Sequence, residues 1–212
     1  MSGHFITFEG GEGTGKTTQI KLLSDYLKGK GVEVVLTKEP GGTPIGQELR
    51  AMLCTGDKDK FDAVAEALLY YADRRIHMQQ KVLPALARGC WVISDRFADS
   101  TMAYQYYGYN KRVPKQMLDE LYKMTVGDFY PDLTVILDID PEIGLARSMA
   151  RNNVSAVQET RHESREMDFH HNLRQGFLEI AKTADRYAVV DANKTIEQLH
   201  DEIVKLVEER LF

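Results

Sequence analysis

The sequence predicts an α/β fold in which a five-stranded parallel sheet lies between two layers of helices. Short apolar runs of strand length alternate with stretches of helical periodicity along the 212 residues. Strands separated by helices pair in parallel through right-handed crossovers, so helices cover both faces of the sheet. This length suits one domain with a complete core, and we expect residues 1–212 to form a single domain.

Each predicted strand is a short apolar run that ends close to a turn or a charged residue. The five runs are FITFEG (5–10), VEVVLTKEP (32–40), CWVISD (90–95), LTVILDID (133–140) and RYAVVDA (186–192). Runs of this length and composition are typical of buried strands. Their even distribution along the chain leaves room for a helix between each pair.

The predicted helices show a period of 3.6 residues and recognisable end signals. They cover residues 16–28, 45–53, 61–83, 113–127 and 141–151, and a last helix follows Thr195. Thr195 and Gln198 have the spacing of a capping box. Asp140 precedes Pro141 as an N-cap precedes a proline at the first helical position. Pro84 is expected to kink or interrupt the continuation of the long helix.

Composition excludes several classes of function. The formal net charge of −5 argues against a nucleic-acid polymer as partner. Cys54 and Cys90 form neither a zinc pattern nor a disulfide framework. No apolar run approaches the roughly 20 residues that span a membrane, and the N-terminus has no signal-peptide pattern. We therefore expect a soluble, cytoplasmic protein with small-molecule ligands and without a membrane or nucleic-acid partner.

The stretch GGEGTGKTT, residues 10–18, matches the P-loop pattern between a strand and a helix. Its backbone N–H groups and the start of the following helix form a cradle for phosphates. Lys16 is expected to reach the β- and γ-phosphates, and the Thr17 hydroxyl is expected to ligate Mg²⁺. The predicted nucleotide-binding residues are Gly10, Gly11, Glu12, Gly13, Thr14, Gly15, Lys16, Thr17 and Thr18. The motif predicts nucleoside triphosphate binding but leaves the reaction open.

Three functions are compatible with this motif: a nucleotide-dependent switch, a partner-driven ATPase and a kinase that phosphorylates a small acceptor. GTPase switches carry an Asn-Lys-x-Asp guanine motif, and the nearest match, residues 193–196, lacks the aspartate. The polar, arginine-bearing stretch over 151–165 is long for a loop and favours a functional lid. A lid that excludes water from a reactive phosphoryl group fits a kinase better than the alternatives.

Residues suited to a nucleoside monophosphate lie outside the P-loop. Asp95 and Arg96 follow the third strand, where parallel α/β sheets bind their ligands. Asp95 can organise Mg²⁺, and Arg96 can clamp a phosphate with two parallel hydrogen bonds. Tyr70 and Arg74 are i,i+4 neighbours, so an aromatic ring and a cation share one helical face.

Over essentially its whole length the sequence resembles the bacterial thymidylate kinases, a family of P-loop kinases. The similarity lies in FEGGEGTGKTTQ, TKEPGGTPIGQELR, ALLYYADRR, DRFADSTMAYQ, PDLTVILDIDPEIGLAR and the DF pair at 168–169. It implies a three-layer sandwich that transfers the γ-phosphate of ATP to thymidine monophosphate (dTMP), for dTTP synthesis. It also implies a homodimer formed through the helix over 61–83. A kinase for another monophosphate or for a deoxynucleoside is the nearest alternative.

The resemblance also implies a role for each matching acceptor-site residue. Those residues are Glu12, Glu39, Arg50, Tyr70, Arg74, Arg96, Thr101, Tyr104 and Gln105. Arg50 and Arg96 are expected to bind the acceptor phosphate, and Glu39 is expected to arrange that phosphate and the metal. Thr17, Glu39 and Asp95 form the implied Mg²⁺ set.

For the nucleoside, the resemblance implies that Tyr70 stacks on thymine and that Arg74 reaches the base edge. Thr101 and Gln105 match positions near base and sugar. Tyr104 crowds the 2′ position and so favours deoxyribose, while Glu12 faces the 3′-hydroxyl.

The charge that stabilises the transition state is expected to come from the lid. Residues 11–14 of the P-loop contain no arginine, although this family uses either P-loop or lid arginines. Arginines enter and line the predicted lid, which covers about residues 147–165, and we favour Arg151 and Arg161 as the pair. The predicted catalytic residues are Lys16, Asp95, Arg96, Arg151 and Arg161.

Overall fold

The computed structural model of the protein describes residues 3–57, 59–152, 161, 163 and 165–212, with backbone alone at 151 and 152. The strands are β1 (Phe5–Glu9), β2 (Val34–Lys38), β3 (Trp91–Asp95), β4 (Leu133–Asp138) and β5 (Tyr187–Asp191). They form one parallel sheet in the order β2-β3-β1-β4-β5. The predicted five-stranded parallel sheet is therefore confirmed.

Helices occupy the crossovers between these strands. They are α1 (Lys16–Gly29), α2 (Pro44–Cys54), α3 (Ala63–His77), α4 (Leu83–Ala87), α5 (Ala98–Thr101), α6 (Lys115–Thr125), α7 (Pro141–Asn152), α8 (Met167–Ala181) and α9 (Ile196–Leu211). Capping follows the sequence signals, since Thr195 and Gln198 form a capping box and Asp140 accepts a hydrogen bond from the Glu142 N–H at 2.9 Å. None of the helices in the described part of the chain has the length and apolar character needed to cross a membrane.

The strand register brings the carboxyl ends of three strands together. Phe8 of β1 is level with Asp95 of β3, and Glu9 is level with Ile136 of β4. The loop that follows β1 therefore emerges between the ends of β3 and β4. Ligand-binding residues of parallel α/β proteins concentrate at this edge.

The two faces of the sheet bury separate hydrophobic clusters. Val135 of β4 packs with Ile20 of α1 and Ile203 of α9 on one face. Its neighbour Ile136 packs with Phe177 of α8 on the other face. Because successive strand residues point to opposite faces, one strand serves both clusters. The arrangement is the three-layer sandwich that the sequence predicts.

The predicted long helix is interrupted, and the interruption begins before Pro84. The α-helical turns of α3 end at His77, Met78–Val82 form a π-helical turn, and Pro84 lies in the first turn of α4. Proline lacks an N–H and its ring collides with the carbonyl group four residues earlier. A wider turn upstream accommodates both effects.

Two helical stretches were not predicted from the sequence. One comprises α5 and the π-helical turn Met102–Gly108, and the other is α8. In the first, the apolar residues are mixed with Asp99, Ser100, Thr101 and Gln105 and show no α-helical period. In α8, Phe169, Leu173 and Phe177 recur every four residues and are buried, so its periodicity was available in the sequence.

Candidate active site

The P-loop packs closely against α7. A Cβ added at Gly13, which has φ 65°, would lie 1.9 Å from the carbonyl oxygen of Gly144. A Cβ at Gly144 would lie 2.4 Å from the Glu12 carbonyl oxygen. The left-handed backbone and the lack of space each require glycine at residue 13. The loop is thereby held at the edge of the sheet in front of α1.

Lys16 lies inside the P-loop with its ammonium group bonded to the loop. Its Nζ donates to the carbonyl oxygens of Gly10 and Gly11 at 3.1 and 2.7 Å and to Thr14 Oγ1 at 3.2 Å. Burial and the nearby Arg96 charge lower the pKa of Lys16 to about 8. An anion bound in the loop would stabilise the ammonium form and raise that pKa.

Thr17 and Asp95 meet where β3 ends beside the P-loop. The Thr17 hydroxyl donates to Asp95 Oδ2 at 3.2 Å. A hydroxyl and one carboxylate fit Mg²⁺, which usually takes few protein ligands and completes its shell with phosphates and water. Within the described ranges, no group of three or more His, Cys, Asp and Glu residues is placed to hold a metal by itself.

Arg96 is held in a left-handed backbone conformation with φ 70°. Such a conformation costs a non-glycine residue about 1–3 kcal/mol and persists only when its surroundings fix it. The Arg96 N–H donates to the Phe8 carbonyl at 2.9 Å, and Ser94 Oγ donates to the Arg96 carbonyl at 2.8 Å. The guanidinium donates to the Gly10 carbonyl at 2.9 Å and to Glu12 at 3.1 Å. Arg96 is therefore fixed against the P-loop.

A cavity that opens to solvent, with about 640 Å³ of empty space including its mouth, adjoins the P-loop beside Arg96. All nine acceptor-site residues implied by the sequence resemblance line it. Pro40, Cys54, Phe97, Ser100 and Glu163 also line it and were not predicted. Its wall combines aromatic rings with a few polar groups, as the walls of small-molecule sites do.

Two polar atoms in the cavity wall are buried without a hydrogen-bond partner in the described part of the chain. Arg74 donates from Nε to Glu39 at 2.8 Å and from Nη2 to Thr101 Oγ1 at 3.0 Å, which leaves Nη1. Gln105 donates from Nε2 to Glu66 at 2.8 Å, which leaves Oε1. A buried polar atom without a partner is costly, so one donor and one acceptor are available to a ligand.

Glu39 is buried at 3% exposure and is engaged through both carboxylate oxygens. Oε2 accepts from Arg74, and Oε1 bonds to His77 Nδ1 at 2.7 Å. The other ring nitrogen of His77 bonds to Thr37 Oγ1 at 2.6 Å. These contacts make Glu39 the group that orients Arg74.

Glu12 turns away from the interior of the P-loop and lines the cavity. Its Oε1 accepts hydrogen bonds from the Tyr104 hydroxyl at 2.5 Å and from Arg96. The Arg96 guanidinium also lies 5.1 Å from the centre of the Tyr104 ring. Burial raises the pKa of Tyr104 well above its ordinary value, so the hydroxyl remains a donor to Glu12. Glu12 therefore sits between two donors at the cavity wall.

The two arginines favoured for catalysis are placed differently. Arg151 lies in the last turn of α7, and its side chain is outside the described residues. Arg161 is 1% exposed, forms an ion pair with Glu66, and donates to the carbonyls of Leu53 and Asp57 at 3.1 and 2.9 Å. Most of the predicted lid over 147–165, residues 153–160, 162 and 164, also lies outside the described residues.

Glu9 is a buried acidic residue that the sequence analysis missed. One carboxyl oxygen accepts from the Phe97 N–H at 2.8 Å, and the other bonds to Ser100 Oγ. Burial, reinforced by the charge of Asp99, raises the pKa of Glu9 to about 8. Glu9 thereby fixes the residues that follow Arg96. A charged residue inside the apolar run FITFE was the available signal.

Comparison with known proteins gives one consistent result. The sequence profile of the family described as thymidylate kinase matches residues 8–203. Thymidylate kinases of Magnetococcus marinus and Caulobacter vibrioides are 45% and 44% identical, over 100% and 99% of this chain and 99% and 98% of theirs. The crystal structure of thymidylate kinase from Ehrlichia chaffeensis superposes with a TM-score of 0.79 at 34% identity, covering 98% of this chain and all of that one.

Glu9→Gln tests the protonation of Glu9. The folded pKa of about 8 lies above the ordinary 4.5, so the stability from the bound proton is complete below 4.5 and is lost as pH rises through 8. Glutamine keeps both hydrogen bonds without titrating. The free energy of unfolding of Glu9→Gln relative to wild type should therefore increase with pH, by at most about 1.4 kcal/mol per pH unit.

Urea unfolding of both proteins at several pH values between about 5 and 8 measures this difference. Glu33→Gln, the same exchange at an exposed carboxylate, serves as the control for general effects of pH. A Glu9→Gln difference that does not change with pH would contradict a protonated Glu9.

Proposed function

The chain belongs to the thymidylate kinase family, and we propose that it transfers the γ-phosphate of ATP to dTMP, giving dTDP, with the residues described above. The family membership rests on the profile match over residues 8–203 and on full-length relatives above 40% identity. The observation that supports the acceptor most directly is the pair of polar atoms that the cavity offers to a base.

Arg74 Nη1 is a donor and Gln105 Oε1 is an acceptor. Thymine carries a carbonyl oxygen at C4 next to an N–H at position 3, so it pairs with both atoms. Cytosine has an amino group and an unprotonated nitrogen at these positions, so it mismatches both. The wall therefore favours thymine or uracil over cytosine.

Tyr70 supplies the stacking surface for this base. It lines the cavity, and burial raises its hydroxyl pKa well above the ordinary value. Stacking of a base on an aromatic ring contributes about 1–3 kcal/mol. An apolar pocket for the thymine methyl gives roughly 10–200-fold discrimination. Preference for dTMP over dUMP is thus limited, while purine monophosphates are excluded by size.

Sugar and phosphate are assigned to the side of the cavity next to the P-loop. Glu12 accepts from the 3′-hydroxyl, and Tyr104 occupies the space that a 2′-hydroxyl would need. Arg96 and Arg50 bind the acceptor phosphate. The contacts of Arg96 to the Gly10 carbonyl and to Glu12 support this assignment, because they hold its guanidinium at the edge of the P-loop where it lines the cavity.

The P-loop holds the triphosphate through its backbone N–H groups, and Lys16 bonds the β- and γ-phosphate oxygens. Thr17 and Asp95 would hold Mg²⁺, which supplies charge neutralisation between the β- and γ-phosphates when bound. Glu39 belongs to the proposed metal set, but its contacts to Arg74 and His77 favour an indirect role. Phosphoryl transfer then depends on positioning and on neutralising charge.

The lid over about residues 147–165 is proposed to bring Arg151 and Arg161 to the transferring phosphate. For Arg161 this requires release from Glu66, and breaking one side of a buried ion pair is strongly unfavourable. Arg151 is thus the stronger candidate of the pair.

We place the protein in the cytoplasm, as a single domain that forms a homodimer through α3. Val64 and Leu68 of that helix support the dimer, since they are 38% and 49% exposed and are one helical turn apart. Such residues gain most from burial against a second copy.

A panel of acceptors tests the proposed function. With ATP and Mg²⁺, dTMP should be phosphorylated fastest, dUMP should have a kcat/KM lower by roughly 10–200-fold, and dCMP and purine monophosphates should be slower still. Product formation measured by chromatography distinguishes these substrates. Preference for thymidine itself, or ATP hydrolysis that needs only a protein partner, would contradict the proposal.

Lys16→Ala tests the donor site. Removing a cation that acts mainly in the transition state should lower kcat by on the order of 100-fold or more. The fold should remain, because the hydrogen bonds of Lys16 within the described part of the chain go to its own loop. Steady-state kinetics give the rate, and circular dichroism gives the control for folding. Near-normal turnover would exclude the assigned role.

Glu12→Gln tests the acceptor sugar contact. Losing a charged hydrogen bond to the 3′-hydroxyl should lower kcat/KM for dTMP by roughly 10–100-fold and leave ATP affinity within about twofold. The glutamine oxygen can still accept from Tyr104 and Arg96. With 3′-deoxythymidine monophosphate, which lacks the hydroxyl, variant and wild type should react alike. An equal loss with both acceptors would count against the contact.

A further inference from the structure

Glu66 is a fully buried acidic residue that none of the proposed roles uses. It lies on α3, one helical turn before Tyr70, with 0% exposure. Three side chains bond to its carboxylate: Gln105 Nε2 at 2.8 Å, the Tyr109 hydroxyl at 3.2 Å from each oxygen, and the Arg161 guanidinium. Every one of these groups is a donor toward Glu66.

The chemistry of these contacts decides which end of the Gln105 amide enters the cavity. An amide has a donating NH₂ end and an accepting oxygen end, and the two have nearly the same shape. A carboxylate paired with an arginine only accepts, and Glu66 forms such a buried pair with Arg161. Gln105 must therefore give its NH₂ group to Glu66. Its oxygen is the end that remains for a ligand, as observed.

We infer that Glu66 is a specificity-determining positioning residue, which selects thymine over cytosine by fixing the orientation of the Gln105 amide. This inference rests on the proposed function, because it concerns the base of the same acceptor. Glu66 touches neither base nor phosphate. It acts through the single hydrogen bond to Gln105, and Arg161 acts through its ion pair with Glu66.

Arg74, which is proposed to contact the base beside Gln105, is also held by a buried glutamate. Its Nε is held by the Glu39 carboxylate, its Nη1 is buried without a partner among the described residues, and the residue lines the cavity. Arginine has no acceptor, so turning it over changes nothing in the pattern. Of these two residues, only Gln105 exchanges a hydrogen-bond acceptor for a donor when its side chain is rotated by 180°. Control of its orientation is therefore the point at which selectivity can be lost.

Glu66→Gln is the decisive substitution. Glutamine at 66 has nearly the same volume but offers either an oxygen or an NH₂ group, so both orientations of Gln105 become possible. The turned amide presents NH₂ to the base and matches the unprotonated ring nitrogen of cytosine, while the mismatch at Arg74 remains. The ratio of kcat/KM for dTMP to kcat/KM for dCMP should therefore fall by roughly 10-fold, well short of complete loss.

Two variants are matched controls. Tyr109→Phe removes a donor from the same carboxylate but leaves it an acceptor, so the dTMP:dCMP ratio should stay within about twofold of wild type. Glu66→Asp keeps an accepting carboxylate and should also retain the ratio, even if kcat falls. A change of similar size in Tyr109→Phe would show that general loosening of the network, and not amide orientation, sets the ratio.

The measurement is insensitive to partial unfolding, because an inactive fraction lowers both rates equally and leaves their ratio unchanged. If Glu66→Gln does not fold, Glu66→Gln combined with Arg161→Gln removes the unpaired buried cation and is measured in its place. In a Gln105→Ala background, Glu66→Gln should change the ratio no further, since its effect passes through Gln105.

The outcomes separate this inference from the proposed function. A wild-type protein that does not prefer dTMP to dCMP would overturn the proposed function. A wild type that does prefer dTMP, with the ratio unchanged in Glu66→Gln, would overturn the role of Glu66 alone. An additive effect of Glu66→Gln in the Gln105→Ala background would also overturn it.

Discussion

Three glutamates with almost no exposure to solvent bond to residues that line the cavity, and each must satisfy two carboxyl oxygens without water. Glu9 takes donors from the segment that follows Arg96, Glu39 takes Arg74, and Glu66 takes Gln105. In each case the group that meets the carboxylate is, or directly supports, a residue assigned to the substrate. The need to satisfy buried acceptors therefore sets the orientation of the whole acceptor site.

The three carboxyl groups meet this need in different ways. Glu39 and Glu66 form buried ion pairs with arginines, and no side chain of either pair is more than 3% exposed. For Glu9, burial and the nearby charge of Asp99 instead raise the pKa to about 8, which favours the neutral acid at pH 7. Buried ion pairs add little net stability, because desolvation offsets the attraction between the charges. What they contribute here is fixed geometry, which a kinase that works by positioning requires.

Sequence reasoning predicted the sheet, the P-loop in its strand and helix context, and a set of acceptor residues that share one cavity. These features depend on local periodicity and on short motifs, which are visible in a single chain. The buried partners were missed, because Glu9 and Glu66 acquire their role only when β1 packs beside α5 and α3 packs beside the π-helical turn. The orientation of Gln105 has no sequence signal at all. It follows from the nature of its partner, which only the packing of the chain supplies.

Two proposed roles concern Arg161: its pairing with Glu66, which holds Gln105, and a contact with the transferring phosphate. Its guanidinium pairs with Glu66 and donates hydrogen bonds to the carbonyls of Leu53 and Asp57. Its nitrogen atoms are therefore already engaged in several contacts. If it moved to the phosphate, Glu66 would remain buried as an uncompensated charge, and the contact that fixes Gln105 would be disturbed. One arginine cannot hold both positions at once. The contacts favour the position beside Glu66, so the proposed function relies on Arg151, Lys16 and Arg96 for the charge at the transferring phosphate.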